Sequence, residues 1–538
     1  MIFLWMMAIP LFGAVALLVP ADRFLRTGFA VRAFGTGVSA ATLLVAVSAL
    51  TAFDFGDTSR TQLQADWAWA PAIGLRFHLG ADGISLPLVV LTALLTFLCF
   101  LYTLRHPPAG GRIRLLTALL LVLEVGLIGT FTALDLVLFF VFFETVLIPM
   151  YVVIMLWGGD GRRAAATKFI LYTLLGSGLL LAGMLLVAVN AGTLDMVQLA
   201  ARHGSGVSRS VQIAAFALMA VGLAVKAPMW PLHTWLPDAH TEAPTVGSVL
   251  LAGVLLKMGT YGLVRVALPL APDGAQVWAP WLGLLAVIGI VYGALACLAQ
   301  TDLKRMIAYS SVGHMGFVLL GIATLTPVGI NAALFGNIAH GLITGLLFFL
   351  AGAVKDRWGT TDMDRIGGGM LGTAPRLASV LTFASVASLG LPGLAGFWGE
   401  MLAMVGAYRP HADLPRGAFV TFMAVAGIGA LLTAGYFLRM LAKITHGPAP
   451  EPAAGPAPAA VGGPESAAGP APEPGAADLE PAAGDLEPAA AAGPGAVVSA
   501  QEYAAWVPLI ALTLLVGLWP KTLLDVTAAP VRALFGGG

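Results

Sequence analysis

The most constraining feature of the sequence is a series of long apolar runs that alternate with short polar loops. A bilayer core requires about 20 apolar residues per helix, and fourteen runs of roughly that length occur within the 538 residues. Only 10% of the residues are charged, whereas an average soluble domain contains roughly 25%. The interior of a soluble fold would not bury so much apolar surface. The sequence therefore predicts an all-α polytopic membrane protein with about 14 transmembrane helices.

The predicted spans differ in length, and the seventh and twelfth are too long for one uninterrupted crossing. The first run has no basic segment ahead of it, so we expect a retained span and not a cleaved signal peptide. The fourteen spans are approximately 2–20, 34–53, 84–104, 115–132, 134–157, 169–189, 212–237, 246–268, 281–300, 306–325, 330–354, 377–407, 419–442 and 503–519.

Basic residues are distributed unevenly between the two sets of loops. Loops after odd-numbered spans, counted with the span ends, contain 17 Lys and Arg, and loops after even-numbered spans contain seven. Cytoplasmic loops of membrane proteins carry the basic excess. This distribution predicts that both termini lie on the non-cytoplasmic side. The 28 basic and 28 acidic residues balance, so we expect no nucleic-acid partner.

One segment departs from the apolar pattern. Residues 447–500 are rich in Pro, Ala and Gly and contain seven acidic residues but no Lys or Arg. Such a composition is typical of disorder. It predicts three regions, with helices 1–13 in residues 1–446, a disordered cytoplasmic insertion in 447–500, and helix 14 with the C-terminal tail in 501–538.

Ionisable side chains inside spans are the main candidates for function. A charge at a helix centre costs about 2.5–3.5 kcal/mol on insertion scales, so a chain that keeps one there needs a partner, water or a role for it. A structural ion pair is the alternative for the charged residues, and packing or haem ligation is the alternative for the histidines. The candidates are Glu144, Lys226, Lys257, His314, His340 and Glu400. Glu124 also lies within a span, although its partner is less obvious.

Other patterns give weaker signals for cofactors or metals. His233 and His240 flank acidic residues, but three nearby prolines make a regular metal-binding face doubtful. Cys99 and Cys297 are too few for an iron–sulfur cluster and lie in apolar runs. The Gly-x-Gly-x-x-Gly match that begins at Gly367 follows no predicted strand. We therefore expect no metal, no cofactor and no disulfide.

Each of the two over-long spans has helix-breaking residues close to an ionisable residue. Pro228 and Pro231 follow Lys226 in the seventh span, and Pro392 and Gly393 precede Glu400 in the twelfth. Each must break backbone hydrogen bonds at membrane depth, which is tolerated only beside protein or a cavity. The two breaks are five spans apart, and five is odd, so a repeated unit must be inverted. Paired broken helices in inverted repeats are typical of ion translocation near the bilayer midplane.

Three segments, KAPMWPLHTWLPDAH (226–240), TDLKRMIAYSSVGHMGF (301–317) and LPGLAGFWGE (391–400), are similar to the antiporter-like subunits of respiratory complex I. The similarity begins at HLGADGISLPL (78–88) and extends to the last span. It implies a fourteen-helix fold with two inverted five-helix repeats, at about 115–268 and 281–442, and with helices 7 and 12 broken. By residue, it implies that Glu144, Lys226, Lys257 and Glu400 match the ionisable sites of helices 5, 7, 8 and 12, and that His314 and His340 match a central polar axis.

The resemblance implies a proton-translocating subunit of the membrane arm of NADH–quinone oxidoreductase, in a bacterial plasma membrane, with no redox centre of its own. Its partners would be the other membrane-arm and peripheral subunits and the lipid bilayer. In this interpretation Glu144 pairs with Lys226, Lys257 and the two histidines transfer the proton, and Glu400 releases it. Glutamate at position 400, where most such subunits carry lysine, resembles the M-type subunits.

Two alternatives remain. A subunit of a multisubunit cation/proton antiporter would share most of these residues, although Glu400 disfavours it. A structural membrane-arm scaffold would not need so many buried charges.

Overall fold

The computed structural model describes residues 1–18, 27–447 and 497–536. Within them, twelve helices are long and apolar enough to cross a membrane. A 17-residue apolar helix at the N-terminus and a divided helix 12 bring the crossings to fourteen. The predicted fold class, with breaks in helices 7 and 12, is confirmed. The predicted insertion lies almost wholly outside the described residues.

The membrane helices are α1 (Ile2–Leu18), α2 (Gly28–Ala52), α3 (Ser85–Thr103), α4 (Ile113–Thr132), α5 (Leu136–Trp157), α6 (Arg162–Ala191), α7a (Arg209–Lys226), α7b (Trp235–Glu242), α8 (Thr245–Leu270), α9 (Pro272–Leu298), α10 (Leu303–Ala323), α11 (Pro327–Trp358), α12a (Pro375–Ser388), α12b (Ala395–Tyr408), α13 (Arg416–Ile444) and α14 (Ala500–Leu518). Shorter helices outside this set are Met196–Arg202, Met363–Ile366, Met370–Thr373 and Lys521–Ala533.

The pattern of apolar runs missed one feature, a β-hairpin between α2 and α3. Strand β1 (Gln62–Ala70) pairs in antiparallel register with β2 (Leu75–Ala81). Gly74, in the left-handed region at φ 70°, ends the short 3₁₀ turn that joins them. The hairpin lies where α3 starts, so the side of the membrane that carries it is called the hairpin face. The sequence-predicted orientation makes the hairpin face the non-cytoplasmic one.

Two short backbone pairings repeat with the same sequence separation. Asp135, ahead of α5, bridges to Asp195, and Asp302, ahead of α10, bridges to Asp362. In each pair both aspartates cap the helix that follows. Five crossings separate the starts of α5 and α10, so the two pairings lie on opposite sides of the membrane. An inverted repeat requires this arrangement.

Helices α8, α10 and α11 form the interior of the bundle. In their most apolar stretches, 94%, 89% and 94% of residues are buried, compared with 28% in α2 and α13. The candidate residues Lys257, His314 and His340 lie on these three helices. The fold therefore places the ionisable groups away from lipid.

Candidate functional site

Lys257 lies between two irregular stretches of α8. Residues Leu251–Leu255 and Leu263–Ala267 form π-helical turns, and the segment between them is α-helical. Such turns are frequent at functional sites because they disturb the regular backbone hydrogen-bond ladder. The Lys257 ammonium, which is fully buried, donates to the carbonyl oxygen of Ala252 in the first π turn. The backbone irregularity thus provides an acceptor for a charge that water cannot solvate.

A chain of contacting polar side chains runs from Lys257 on α8 through α11 and α10 to α12b, with ring packing and not a hydrogen bond between the two histidines. Lys257 Nζ lies 2.7 Å from Nδ1 of His340 on α11. The ring of His340 packs edge-on against that of His314 on α10, with 5.8 Å between centroids. His314 Nδ1 is 3.0 Å from Glu400 Oε1, and its Nε2 is 3.0 Å from Ser388 Oγ. Four of the six candidate residues therefore lie in one contiguous chain.

A small cavity lies along this chain. Its volume is about 30 Å³, and the polar groups of its lining are His314, His340, Thr344, Ser388 and Glu400. One buried water needs roughly 10–15 Å³ on this measure, together with two or more polar partners. The cavity has room for one or two waters between the histidines and the carboxylate. A water here would bridge the gap that the two rings leave.

The break in helix 12 places Glu400 and Ser388 together. Helix α12a ends at Ser388, and Gly390 and Gly393 take positive φ values of 81° and 95° before α12b begins. A Cβ at Gly390 would lie 3.0 Å from Glu400 Oε2, so this position needs glycine for its backbone conformation as well as for space. The Pro–Gly segment therefore brings the carboxylate against the free end of α12a.

The break in helix 7 directly follows Lys226, the last residue of α7a. Prolines at 228 and 231 lack an N–H, and the indole N–H of Trp235 donates to the carbonyl of Val225 at 2.9 Å. Lys226, buried at the end of α7a, extends over the ring of Phe143 with its Nζ 5.0 Å from the centroid. This is a cation–π arrangement.

The expected direct ion pair between Glu144 and Lys226 is not present in this structure. Among the described residues, ion pairs closer than 4.0 Å do not include it, although the two charges are near enough to interact electrostatically. Glu144 is half-buried, and its Oε1 has no hydrogen-bond partner within the described residues. Phe143, adjacent to Glu144 on α5, takes the position facing the ammonium. The two side chains therefore do not pair directly in this conformation, and their pairing stays a prediction.

The remaining sequence candidates have different surroundings. Glu124 on α4 is fully buried, and both its carboxyl oxygens lack a partner in the described part of the chain. His240 stacks on Phe348 with centroids 4.5 Å apart, and His233 packs edge-on against Tyr292. Across the described ranges, no three His, Cys, Asp or Glu side chains are grouped as metal ligands.

Sequence reasoning missed two polar groups that the fold brings to the site. Ser388 bonds His314, and Asn337 accepts a hydrogen bond from Thr260 at 3.0 Å. All of these are uncharged residues within apolar runs, where they are too common to stand out. An uncharged polar side chain within an apolar run is the sequence signal that points to them.

Comparison with known proteins identifies the family. A family model described as "NADH:quinone oxidoreductase/Mrp antiporter, TM" matches residues 133–427, which include all six candidate residues. The chain belongs to this family. A protein of Nostoc sp. strain PCC 7120 named NAD(P)H-quinone oxidoreductase chain 4 1 is 39% identical over 450 residues, covering 83% of this chain and 82% of that protein. Another of the same name from Synechococcus sp. strain JA-3-3Ab is 43% identical over 403 residues, covering 73% and 74%.

Solved structures share the fold over nearly the whole chain. A chain of respiratory complex I from Thermus thermophilus with bound NADH superposes with a TM-score of 0.80 at 28% identity, covering 99% of both chains. A chain of the Mrp complex from Dietzia sp. DQ12-45-1b gives the same TM-score at 24% identity, covering 99% of this chain and 97% of that one. The second similarity concerns the fold alone.

Proposed function

We propose that the chain is a proton-translocating membrane-arm subunit of an NADH–quinone oxidoreductase, and that it acts in catalysis as part of that translocase without a redox centre of its own. The observation that carries the proposal is the chain of contacting ionisable side chains Lys257–His340–His314–Glu400 inside the bundle. Such a chain is costly to bury and is suited to passing a proton. The names of the relatives support the same conclusion.

Each predicted repeat would hold half of the path. The first, about 115–268, contributes Glu144, Lys226 and Lys257, and the second, about 281–442, contributes His314, His340 and Glu400. Lys226 over Phe143 would be the separated state of a pair that closes onto Glu144 when a proton enters. The Pro228 break leaves the end of α7a free. Lys226 at that end can therefore take two arrangements, one over Phe143 and one against Glu144. Glu400 would pass the proton towards the non-cytoplasmic side.

Partners and location follow from this function. The chain would lie in a bacterial plasma membrane with both termini outside, beside other membrane-arm subunits and beneath the peripheral ones. An antiporter subunit is the second candidate, because the Mrp chain shares the fold. Affinity purification of the tagged chain from mild detergent separates the two candidates. NADH-oxidising subunits should co-purify, and recovery of cation/proton antiporter subunits in their place would contradict the proposal.

Proton transfer is tested with Glu400→Gln in everted membrane vesicles. NADH-driven proton uptake per NADH oxidised should fall by about threefold while assembly, measured on native gels, stays unchanged. Glutamine keeps the side-chain size and one acceptor oxygen, so the variant removes titration and little else. Unchanged proton uptake would remove Glu400 from the path. Asp413→Asn, an exposed carboxylate just beyond α12b, is the control and should pump normally.

A further inference from the structure

A second cavity, here called the apolar groove, lies on the side of α11 that faces away from the proton chain. Its volume is about 310 Å³, compared with about 30 Å³ for the cavity beside Glu400. On α11 the groove is lined by Ile338 and Leu342, whereas the cavity of the proton chain is lined by Ala339 and His340. The other walls of the groove come from α2, α3, α14 and the helix Lys521–Ala533.

The lining of the apolar groove excludes water as its occupant. Among the side chains that line it, Thr522 alone is polar, and the hydroxyl of Thr522 already donates to the carbonyl oxygen of Trp519 at 2.7 Å. A buried water needs two to four polar partners. An empty space of this size would leave the surrounding side chains without packing contacts on one side. The groove therefore requires an apolar occupant.

The groove is elongated along the helices. On α3 its lining begins at Pro87, in the first turn, and ends at Leu94, which corresponds to about 10 Å along the helix axis. On α14 it includes Leu512 and Val516, close to the end of that helix at the hairpin face. An apolar cavity of about 150 Å³ accepts benzene, so this groove has room for about a dozen carbon atoms. Its shape and volume fit a straight hydrocarbon chain that lies parallel to the helices.

The end of the groove at the hairpin face lies at the level of lipid headgroups. Phe55 and Thr522, which line this end, are both exposed. Trp519 is also exposed, and tryptophan and lysine are typical of the boundary between membrane and water. The side chain of Lys521 is 82% exposed, and its ion pair with Asp525 is long, at 3.8 Å. Because such exposed pairs are weak, the Lys521 ammonium is available to a lipid phosphate.

The groove also adjoins the surface that faces the membrane. In the most apolar stretches of α2 and α14, only 28% and 39% of residues are buried, compared with 94% in α11. Leu44 on α2 and Leu518 on α14 are both exposed. The groove lies between these two helices and the bundle interior, so the hydrocarbon chains that surround the protein are its nearest source of an occupant.

We propose that the apolar groove binds one acyl chain of a phospholipid from the leaflet at the hairpin face, with the lipid phosphate beside Lys521. The acyl chain packs against Ile338 and Leu342 and so supports the stretch of α11 that carries His340 on its other side. This site does not depend on the proposed function, because lipid binding requires no proton transfer.

The test uses the chain in its native complex, reconstituted into vesicles of phosphatidylethanolamine and phosphatidylglycerol. A small fraction of the phosphatidylglycerol carries a photoreactive diazirine in the middle of one acyl chain. After illumination, mass spectrometry of the digested protein should find label on Leu91 or Leu94 of α3 and on Leu342 of α11, as well as on the exposed side of α6. Val90→Phe, which fills the groove, should lower the label on α3 and α11 at least about fivefold relative to the label on α6.

Val507→Phe is the matched control, because it enlarges an exposed valine of α14 outside the groove. Its labelling should equal that of the unaltered chain. Label on α6 without label on α3 and α11 in the unaltered chain would overturn the proposal, and so would equal labelling of α3 and α11 in Val90→Phe. Displacement of the label by excess isoprenoid quinone, but not by excess unlabelled phospholipid, would replace the phospholipid with a quinone tail and overturn the proposed occupant.

A second measurement needs no variant and therefore stands even where Val90→Phe fails to fold. A high-resolution density map of the native complex in lipid should show a continuous tube of density along α3 from Leu94 to Pro87, which ends in a headgroup near Lys521. A groove that is empty, or that is filled by side chains of a neighbouring subunit, would overturn the proposal.

Discussion

A substitution at Lys257 distinguishes a charge that is needed for proton transfer from a charge that only supports the fold. Replacing it with methionine keeps a straight side chain of similar length and removes the ammonium. Two hydrogen bonds disappear, one to the Ala252 carbonyl and one of 2.7 Å to His340 Nδ1. Hydrogen bonds to charged groups contribute about 1.5–3 kcal/mol each, so their loss costs roughly 3–6 kcal/mol.

The opposing contribution comes from desolvation. Lys257 has no solvent exposure, and holding an ion in such a place costs several kcal/mol even after the protein relaxes. Methionine does not incur that cost. The two contributions are of similar size, so Lys257→Met should leave the free energy of unfolding within about 2 kcal/mol of the parent value. Proton uptake should nevertheless fall by at least about tenfold, because the path then has no titratable group between Lys226 and His340.

The assay has two parts. Unfolding of the purified chain in detergent gives stability, and NADH-driven proton uptake in everted vesicles gives function. Lys443→Met is the matched control, because that lysine pairs with Asp364 near the end of α13 with its side chain 30% exposed, and both measurements should stay at the parent level. A loss of more than about 4 kcal/mol in Lys257→Met would refute the argument, since the charge would then be a structural support. Preserved proton uptake in Lys257→Met would also refute the argument, since the charge would then not be needed for proton transfer.

Two further predictions concern stability outside the proton chain. Gly222→Ala should lower the free energy of unfolding by about 1–3 kcal/mol, because the new Cβ would clash with the backbone oxygen of Gly176. Gly178→Ala is the control, because a Cβ there meets nothing within 4 Å, and it should be neutral or slightly stabilising. Equal losses of stability in the two variants would contradict the packing argument. Burial alone would raise the pKa of Asp195, but the neighbouring His78 ring and two backbone N–H groups outweigh it and hold that pKa below its ordinary value. The stabilisation from Asp195 is therefore fully present above about pH 4 and is lost as the pH falls through the depressed pKa. Asp195→Ala should lower the free energy of unfolding by about 1 kcal/mol at neutral pH and by less in acid. A loss of unfolding free energy that does not change with pH would contradict this.

Sequence reasoning was strongest where the signal is local along the chain. The length of an apolar run, a proline pair after Lys226 and a Pro–Gly step before Glu400 act on their own segments, and the structure places both breaks there. The β-hairpin was missed because its strands of nine and seven residues lie between the spans, and a count of long apolar runs does not register the period-two alternation that marks a strand. The π turns around Lys257 were missed because no residue type marks them.

The sequence by itself determined that the chain is a bundle of about fourteen membrane helices, that two of them are broken, and which ionisable residues lie at membrane depth. The cost of exposing backbone or charge to lipid is so large that each run constrains its own structure. Only the tertiary structure decided which of those residues meet. Lys257 and His340 are 83 residues apart, and His314 and Glu400 are 86 apart, so their contacts depend on how whole helices rotate and pack. The same packing placed Phe143, and not Glu144, against Lys226, because two side chains one residue apart on a helix point in different directions.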